Sequence, residues 1–346
     1  MRIGHVRERH GATGAPWRLA AAARDGDHWL DLEVVRRRLV AADARRAHNA
    51  ILFRQPLTTL DDALARGLRI ESLGELVDGF AAIGGPRDAD DDAVLGATDL
   101  AFGPPILRPP SFRDFYAFEQ HVATMWSRRQ SEIPEAWYRL PIFYFSNVSE
   151  VRGPGDPVWA PRESQELDFE LEVGAVVDTP VFDLPEERAA EAIGGYVVLN
   201  DWSARDLQRD ESTVRLGPAK GKDFAMTIGP WIVTPDELPA PAAGALAPDL
   251  AMTAVVDAAD GSRVEVSRGT WAESRFSFAQ MLARASADVH VRAGDLLGSG
   301  TVGTGCLLEV KDETLGRWLE PGDLVTLEIE RIGRLETPIV VRPTRR

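Results

Sequence analysis

The chain predicts a β-rich α+β fold, and three observations carry that reading. From about Val158 onward strand-like runs dominate: Glu170–Val177, Tyr196–Asn200, Trp231–Val233, Leu250–Val256 and Leu324–Glu330. Helical patterns are few, and they do not alternate with the strands as a parallel βαβ plan requires. Turn signals precede the runs, with Asp260-Gly261 reading as a hairpin and Gly294-Asp295 and Pro321-Gly322-Asp323 each leading into an apolar stretch.

The elements follow in order. Residues 1–105 read as a small α+β domain, and 106–346 as the larger one. In the first, Trp17–Ala23 and His28–Leu32 flank Asp25-Gly26, a hairpin signal, and Val34–Arg46 is helical by pattern. Thr59 caps a helix that carries Asp61 and Asp62 in its first turn and ends at Gly67. Asp88–Asp92 reads as a solvated polar loop. Paired prolines at 104–105 and 109–110 mark the boundary. Ser111, with Asp114 three residues on, predicts a helix start, and in one continuous helix Asp114 and His121 share a face. Pro185–Ile193 and Ser277–Ala285 read as further helices.

Composition narrows the class. The 346 residues are 44% hydrophobic, enough for a sizeable core, and carry a formal charge of −15. That charge disfavours nucleic acid and anionic membrane surfaces as partners. One cysteine, Cys306, excludes an internal disulfide framework and a cysteine zinc cluster. No apolar run is long enough for a membrane span, and the first ten residues lack the apolar region of a signal peptide, so a cytoplasmic location is expected.

Two motifs resemble nucleotide loops and fail on context. Gly298-Ser299-Gly300-Thr301-Val302-Gly303 has dinucleotide-loop spacing, but the chain after it reads as turn then strand rather than helix. Gly217–Asp223 is one residue short of a P-loop and ends in Asp223 where Ser or Thr is needed.

The chemistry concentrates elsewhere. Leu167-Asp168-Phe169-Glu170-Leu171-Glu172-Val173 alternates strictly, so its acids share one strand face. Glu170 and Glu172 then stand roughly 6.5–7 Å apart, either as a solvated acidic face or as a grip on one cation. Asp201, after the apolar run Tyr196–Leu199, can reach the same spot from a neighbouring strand. Oxygen ligands of this kind suit Mg²⁺, Mn²⁺ or Ca²⁺ rather than zinc or copper. Arg205 and Gln208 follow Asp201 at helical spacing, and Lys222 lies in a glycine-bearing loop. Carboxylates beside Arg, Gln and Lys suggest a metal site next to an anion cradle.

With these residues on view, the chain resembles the fumarylacetoacetase family. The matching segments are Arg113–Tyr116 to His121, Leu140-Pro141 to Tyr144, Glu170-Leu171-Glu172, Asn200–Gln208, Leu216-Gly217-Pro218, Gly221-Lys222, Pro230-Trp231, Gly294-Asp295-Leu296 and Ser299-Gly300-Thr301. The resemblance covers roughly residues 105–335 and implies a mixed β-sandwich roll of the fumarylacetoacetase C-terminal type. It implies Asp114, Glu170, Glu172 and Asp201 as ligands of a divalent metal. It further implies His121 as general base oriented by Glu309, with Arg205, Gln208 and Lys222 around the developing negative charge. Tyr116, Tyr144, Thr301 and Arg128, or equally Arg129, would hold the substrate's carboxylate or keto groups. The implied activity is hydrolysis of a carbon–carbon bond in a 1,3-diketo acid, fumarylacetoacetate- or acylpyruvate-like, by a homodimer. Decarboxylation, enol–keto tautomerisation or hydration on the same scaffold is the alternative, as is a metabolite-binding relative without catalysis. Smaller relatives place a lid glutamate three residues after the histidine; Thr124 stands there in this chain, which favours the hydrolase arrangement.

Overall fold

Strand propensity and burial together explain the central layer of the computed structural model, which describes residues 1–10, 14–23, 28–43, 45, 51–86 and 91–344. Leu171–Val177, Ile193–Asp201 and Met226–Val233 are rich in β-branched residues and are almost wholly buried. Among the described residues they form the middle of a 12-stranded mixed sheet. On one side of them runs Leu296–Gly298, then Phe112–Phe115, then the edge strand Phe143–Ser146. On the other, Arg2–Glu8 pairs antiparallel with Met226–Val233, so the sheet continues into the N-terminal segment.

Both faces of this sheet are covered, which is why its strands read as near-continuous apolar runs. A four-stranded antiparallel sheet packs on one face, where Val173, Val177 and Val198 meet Met252, Val256 and Leu327. The N-terminal helices cover the other, where Leu60, Leu76 and Phe80 meet Val176, Val197 and Ile228. Two layers of β-structure enclosing one core, with helices at the flank, make the α+β roll that the sequence predicts.

Locally signalled elements form as expected. Thr59 accepts a hydrogen bond from the Asp62 amide and caps Leu60–Ala65. Ser277 and Gln280 close a reciprocal capping box on Phe278–Ser286. Ala251–Asp257 and Arg263–Thr270 pair across Asp260-Gly261. Arg18–Ala22 and His28–Asp31 also pair, although the Asp25-Gly26 turn lies outside the described residues. The first long helix is Leu32–Ala42; it ends at Asp43, whose backbone is extended, short of the expected Arg46. Pro185–Ile193 yields only Glu186–Ala189 and a single 3₁₀ turn before the strand begins at Ile193.

Four expectations are corrected. Phe112–Phe115 is a fully buried strand, and the helix spans Glu119–Arg128. Parallel pairing with Leu296–Gly298 and the burial of Phe112 and Phe115 outweigh the local capping signal. Asp114 therefore lies on a strand and His121 in the first turn of a separate helix. Asp201 ends a strand, while Arg205 and Gln208 begin the helix Arg205–Val214, so the three share no helical stripe. After the glycine-rich loop comes a short helix, Leu307–Val310, rather than a strand. Both oxygens of buried Asp168 accept its opening amides, from Leu307 and Leu308, at 2.8 and 2.9 Å. Finally, Asp91 of the acidic run is buried and paired with Arg38 at 2.7 Å; residues 88–90 lie outside the described set.

Candidate active site

The acidic run is divided between two strands, Leu167–Asp168 and Leu171–Val177, with Phe169-Glu170 as the break, and its acids are not solvated. Asp168 and Glu172 are fully buried and Glu170 is 5% exposed. Glu172 shares the sheet face of Val176, and Asp114 that of Phe112. Gly298 lies between their strands, and a Cβ there would stand 2.4 Å from Asp114 Oδ1 and 2.8 Å from Glu172 Oε2. The missing side chain is what lets the two carboxylates converge. Glu172 also accepts the Gly300 amide at 3.1 Å, with Gly300 at φ +79°, a left-handed backbone that favours glycine. The glycine motif thus shapes a carboxylate site rather than a phosphate site.

Asp201 reaches the cluster from the end of its own strand. Oxygens of Asp114, Glu170 and Asp201 lie within 4.8 Å of one another. Lys222 spans Glu170 and Asp201, with Nζ 2.7 Å from Asp201 Oδ2, and Tyr144 donates its hydroxyl to Asp201. Arg205 bonds Asp168 at 2.8 Å, Glu170 at 2.8 Å and the Gln208 side-chain Oε1 at 3.0 Å.

Five buried carboxylates therefore face two cations, and their proton affinities show the imbalance. Burial, followed by the charge of Asp201, drives the Asp114 carboxyl well above the usual carboxylate range. Burial, then Asp114 and Glu170, does the same to Glu172. Burial also raises Asp201, against the pull of Lys222. For Glu170 burial is outweighed by Lys222 and Arg205, which hold it down at about 2. Lys222 is itself desolvated, but Asp201 and Glu170 keep it firmly cationic. Asp114 Oδ1, Glu172 Oε1 and Asp201 Oδ1 are buried with no hydrogen-bond partner. Orphaned carboxylate oxygens converging on surplus negative charge fit a hard divalent cation.

His121 stands beside this floor. Its Nδ1 is 2.6 Å from Glu309 Oε1, and both side chains are almost completely buried. The two come from neighbouring short elements, Glu119–Arg128 and the helix that Asp168 caps. Tyr116 packs edge-on to the imidazole, with centroids 5.4 Å apart.

These groups open onto a cavity of about 990 Å³. His121, Tyr116, Tyr144, Thr301, Gln208, Lys222, Arg128 and Arg129 all line it, as do Asp114, Glu170 and Arg205. Glu172, Asp201 and Glu309 lie behind the lining. Arg128 donates to the Glu309 carbonyl at 3.2 Å. Two features went unread in the sequence. Asp168 is the anchor of Arg205 and the cap of the Glu309 helix; its place in the acidic alternation was the available signal. Part of the wall is apolar, formed by Met125, Trp126, Trp137, Ile142 and Phe143 from the successive elements Glu119–Arg128, Glu135–Arg139 and the start of Phe143–Ser146.

The family model for the fumarylacetoacetate hydrolase C-terminal domain matches residues 111–340. The chain belongs to the fumarylacetoacetate hydrolase family. It is 32% identical to fumarylacetoacetase of Arabidopsis thaliana over 272 residues, 62% of this chain and 63% of that protein. It is equally 32% identical to 2,4-didehydro-3-deoxy-L-rhamnonate hydrolase of a Sphingomonas strain, over 56% of this chain and 62% of that one. The chain thus spans less than two thirds of the length of these curated relatives. In fold it is similar to fumarylacetoacetate hydrolase from Exiguobacterium antarcticum, with TM-score 0.66 and 22% identity, covering 99% of this chain and 100% of that one. It is similar also to 5-carboxymethyl-2-hydroxymuconate delta-isomerase from Mycobacterium smegmatis, with TM-score 0.62, 22% identity and the same coverage. Hydrolases and an isomerase thus share this fold. Among the described residues no helix is long and apolar enough to cross a membrane.

Proposed function

We propose that this chain hydrolyses a carbon–carbon bond in a 1,3-diketo acid of the acylpyruvate or fumarylacetoacetate class. The observation that supports this most is the buried His121–Glu309 pair on the wall of a cavity floored by carboxylates. Glu309 accepts the Nδ1 proton, which leaves the Nε2 lone pair as the base. Nε2 takes a proton from water, and the hydroxide adds to the acyl carbonyl. The bond to the neighbouring carbon then breaks, and its electron pair stays with that carbon as an enolate. The proton held on His121 returns to the same carbon. One water is consumed, and a carboxylic acid and a methyl ketone acid leave.

The positive charge for this step comes from Lys222 and Arg205, with the Gln208 amide beside them. Because Lys222 is held cationic by Asp201 and Glu170, it acts as a fixed charge rather than as a base. Tyr116, Thr301, Tyr144 and Arg128 or Arg129 line the cavity and would orient the substrate's oxygens. Asp114, Glu170, Glu172 and Asp201 would hold Mg²⁺, Mn²⁺ or Ca²⁺, and such an ion, when bound, supplies Lewis-acid polarisation of the two keto oxygens.

The test is product analysis by NMR after incubation with acylpyruvates and fumarylacetoacetate in Mg²⁺ buffer. Two acids from one diketo acid are expected. Carbon dioxide or an isomer as the sole product would replace hydrolysis with decarboxylation or tautomerisation.

A further inference from the structure

Glu309 has a second neighbour that the proposed hydrolysis does not use. Cys306, the only cysteine of the chain, is fully buried three residues before it. That spacing puts both side chains on one side of the same turn. Cys306 Sγ lies 3.6 Å from Glu309 Oε1, the oxygen that also meets His121 Nδ1. A ring nitrogen of His121, the Cys306 sulfur and a Glu309 oxygen all fall within 4.8 Å of one another.

This donor set differs in kind from the carboxylate floor. One thiol, one imidazole and one carboxylate suit a borderline or soft ion, whereas four carboxylates suit a hard one. Zinc bonds of about 2.0 Å to nitrogen and oxygen and about 2.3 Å to sulfur require tetrahedral ligand separations of roughly 3.3–3.7 Å. The sulfur–oxygen pair already meets this at 3.6 Å. The nitrogen–oxygen pair, at 2.6 Å, is closed by a shared proton and opens when a metal takes that proton's place. His121 lines the cavity, which gives the ion its route in and water its place as fourth ligand.

We infer that His121, Cys306 and Glu309 form a second metal site, specific for Zn²⁺-like ions, whose occupation inhibits the enzyme. Binding puts the metal on Nδ1 and moves the imidazole proton to Nε2, where it blocks the lone pair that would take water's proton; it also ties up the Glu309 carboxylate and releases the thiol proton. The inhibition rests on the hydrolytic reading given above; the binding does not. The chain then carries two ion sites of opposite chemistry, one activating and hard, the other inhibitory and soft.

Cobalt is the probe for binding, because only a thiolate ligand gives a near-ultraviolet charge-transfer band and the chain has one thiol. With Mg²⁺ in large excess, adding Co²⁺ to the wild-type protein should produce that band, and Zn²⁺ should abolish it by displacement. Cys306→Ser should lose the band while keeping its circular dichroism and its turnover in Mg²⁺. Zinc should inhibit wild-type turnover at concentrations at least tenfold below those needed for Cys306→Ser, without relief by more Mg²⁺. Absence of the cobalt band in folded wild-type protein overturns the site whatever the enzyme's reaction proves to be. Equal zinc sensitivity of the two proteins places the inhibition on the carboxylate floor and overturns the inhibitory role. Turnover absent in both proteins, with the cobalt band present, faults the hydrolytic reading and leaves the metal site standing.

Discussion

In the proposed hydrolysis the chemistry at His121 depends on one tautomer. Glu309, buried and 2.6 Å away, both selects it and stabilises the imidazolium that forms when water is deprotonated. Positioned general-base help is worth about 10²–10⁴-fold in rate. His121→Ala is expected to lower kcat by about that factor, with a smaller change in KM because Lys222, Arg205 and the cavity wall are retained. Glu309→Gln keeps the hydrogen-bonding shape and loses the charge, so its loss in kcat should be the smaller of the two. Steady-state kinetics on both variants decide the matter, and an unaltered kcat in His121→Ala removes His121 from the reaction. The carboxylates give a pH prediction. Burial and mutual repulsion raise Asp114 and Glu172 well above their ordinary values. In the unfolded chain such groups ionise near pH 4, so from there upward the unfolded state sheds protons that the folded state keeps. The penalty to the folded state grows until the raised values are passed. A divalent cation displaces those protons and cancels the penalty. The difference in Tm between Mg²⁺-loaded and chelator-treated protein should therefore widen as pH rises from 5 to 8, a range on the order of the usual stability maximum. A difference that stays constant over that range contradicts the ligand set.

Short elements place these residues, and they show how much the sequence disclosed. Thr59, the Ser277–Gln280 box and Asp260-Gly261 were legible because a cap or hairpin signal lies within a few residues of the structure it dictates. The run Glu170–Val177 was legible as a strand from its apolar alternation and forms as Leu171–Val177, but the acidic stretch breaks at Phe169-Glu170, and Leu167–Asp168 pairs in a separate two-stranded sheet. The burial of the acids was not legible, because the layers that bury them come from Phe112–Phe115, Leu296–Gly298 and the four-stranded sheet. Phe112–Phe115 itself read as helix, since its partner is Leu296–Gly298, near the other end of the chain. Arg205 and Lys222 were singled out by their places after Asp201, His121 and Glu309 received their roles through resemblance, and Asp168 was missed because its two duties, pairing Arg205 and capping Leu307–Val310, appear only in the fold. Gly298 permits a test at this scale. A methyl group there would lie 2.4 Å from one carboxylate oxygen and 2.8 Å from another. Gly298→Ala should push Asp114 and Glu172 apart and weaken divalent-ion binding by about 10–100-fold, the range typical of disturbed metal surroundings, with the fold retained. Calorimetric titration with Mn²⁺ measures this, and unchanged affinity would mean that the two carboxylates do not act together. Asp168→Ala should do more damage. It strands Arg205 without its partner and uncaps the Glu309 helix, costing about 3–5 kcal/mol, so both Tm and kcat should fall.

For the molecule as a whole, the exposed end of the large sheet is the feature still to be accounted for. Among the described residues its last strand, Phe143–Ser146, pairs on one side only, with Phe112–Phe115. An unpaired edge with exposed aromatic side chains invites association unless something covers it. Phe145 is 62% exposed and Ile142 44%, and Arg113 lies over the Phe145 ring at 4.9 Å. The same stretch supplies Ile142, Phe143 and Tyr144 to the cavity, so a second copy of the chain seated here would border the mouth of the site. Family resemblance and this edge together predict a homodimer, closed by a two-fold axis as most such pairs are. Light scattering at micromolar concentration should return about twice the 37.9 kDa of one chain. Phe145→Lys should shift the mass toward the monomer if the edge is the contact. It should also raise KM more than it lowers kcat, because the substituted strand borders the substrate's entrance and not the His121–Glu309 pair. A wild-type mass of one chain refutes the dimer. A dimer unaffected by Phe145→Lys moves the interface to another face and separates oligomerisation from the cavity mouth.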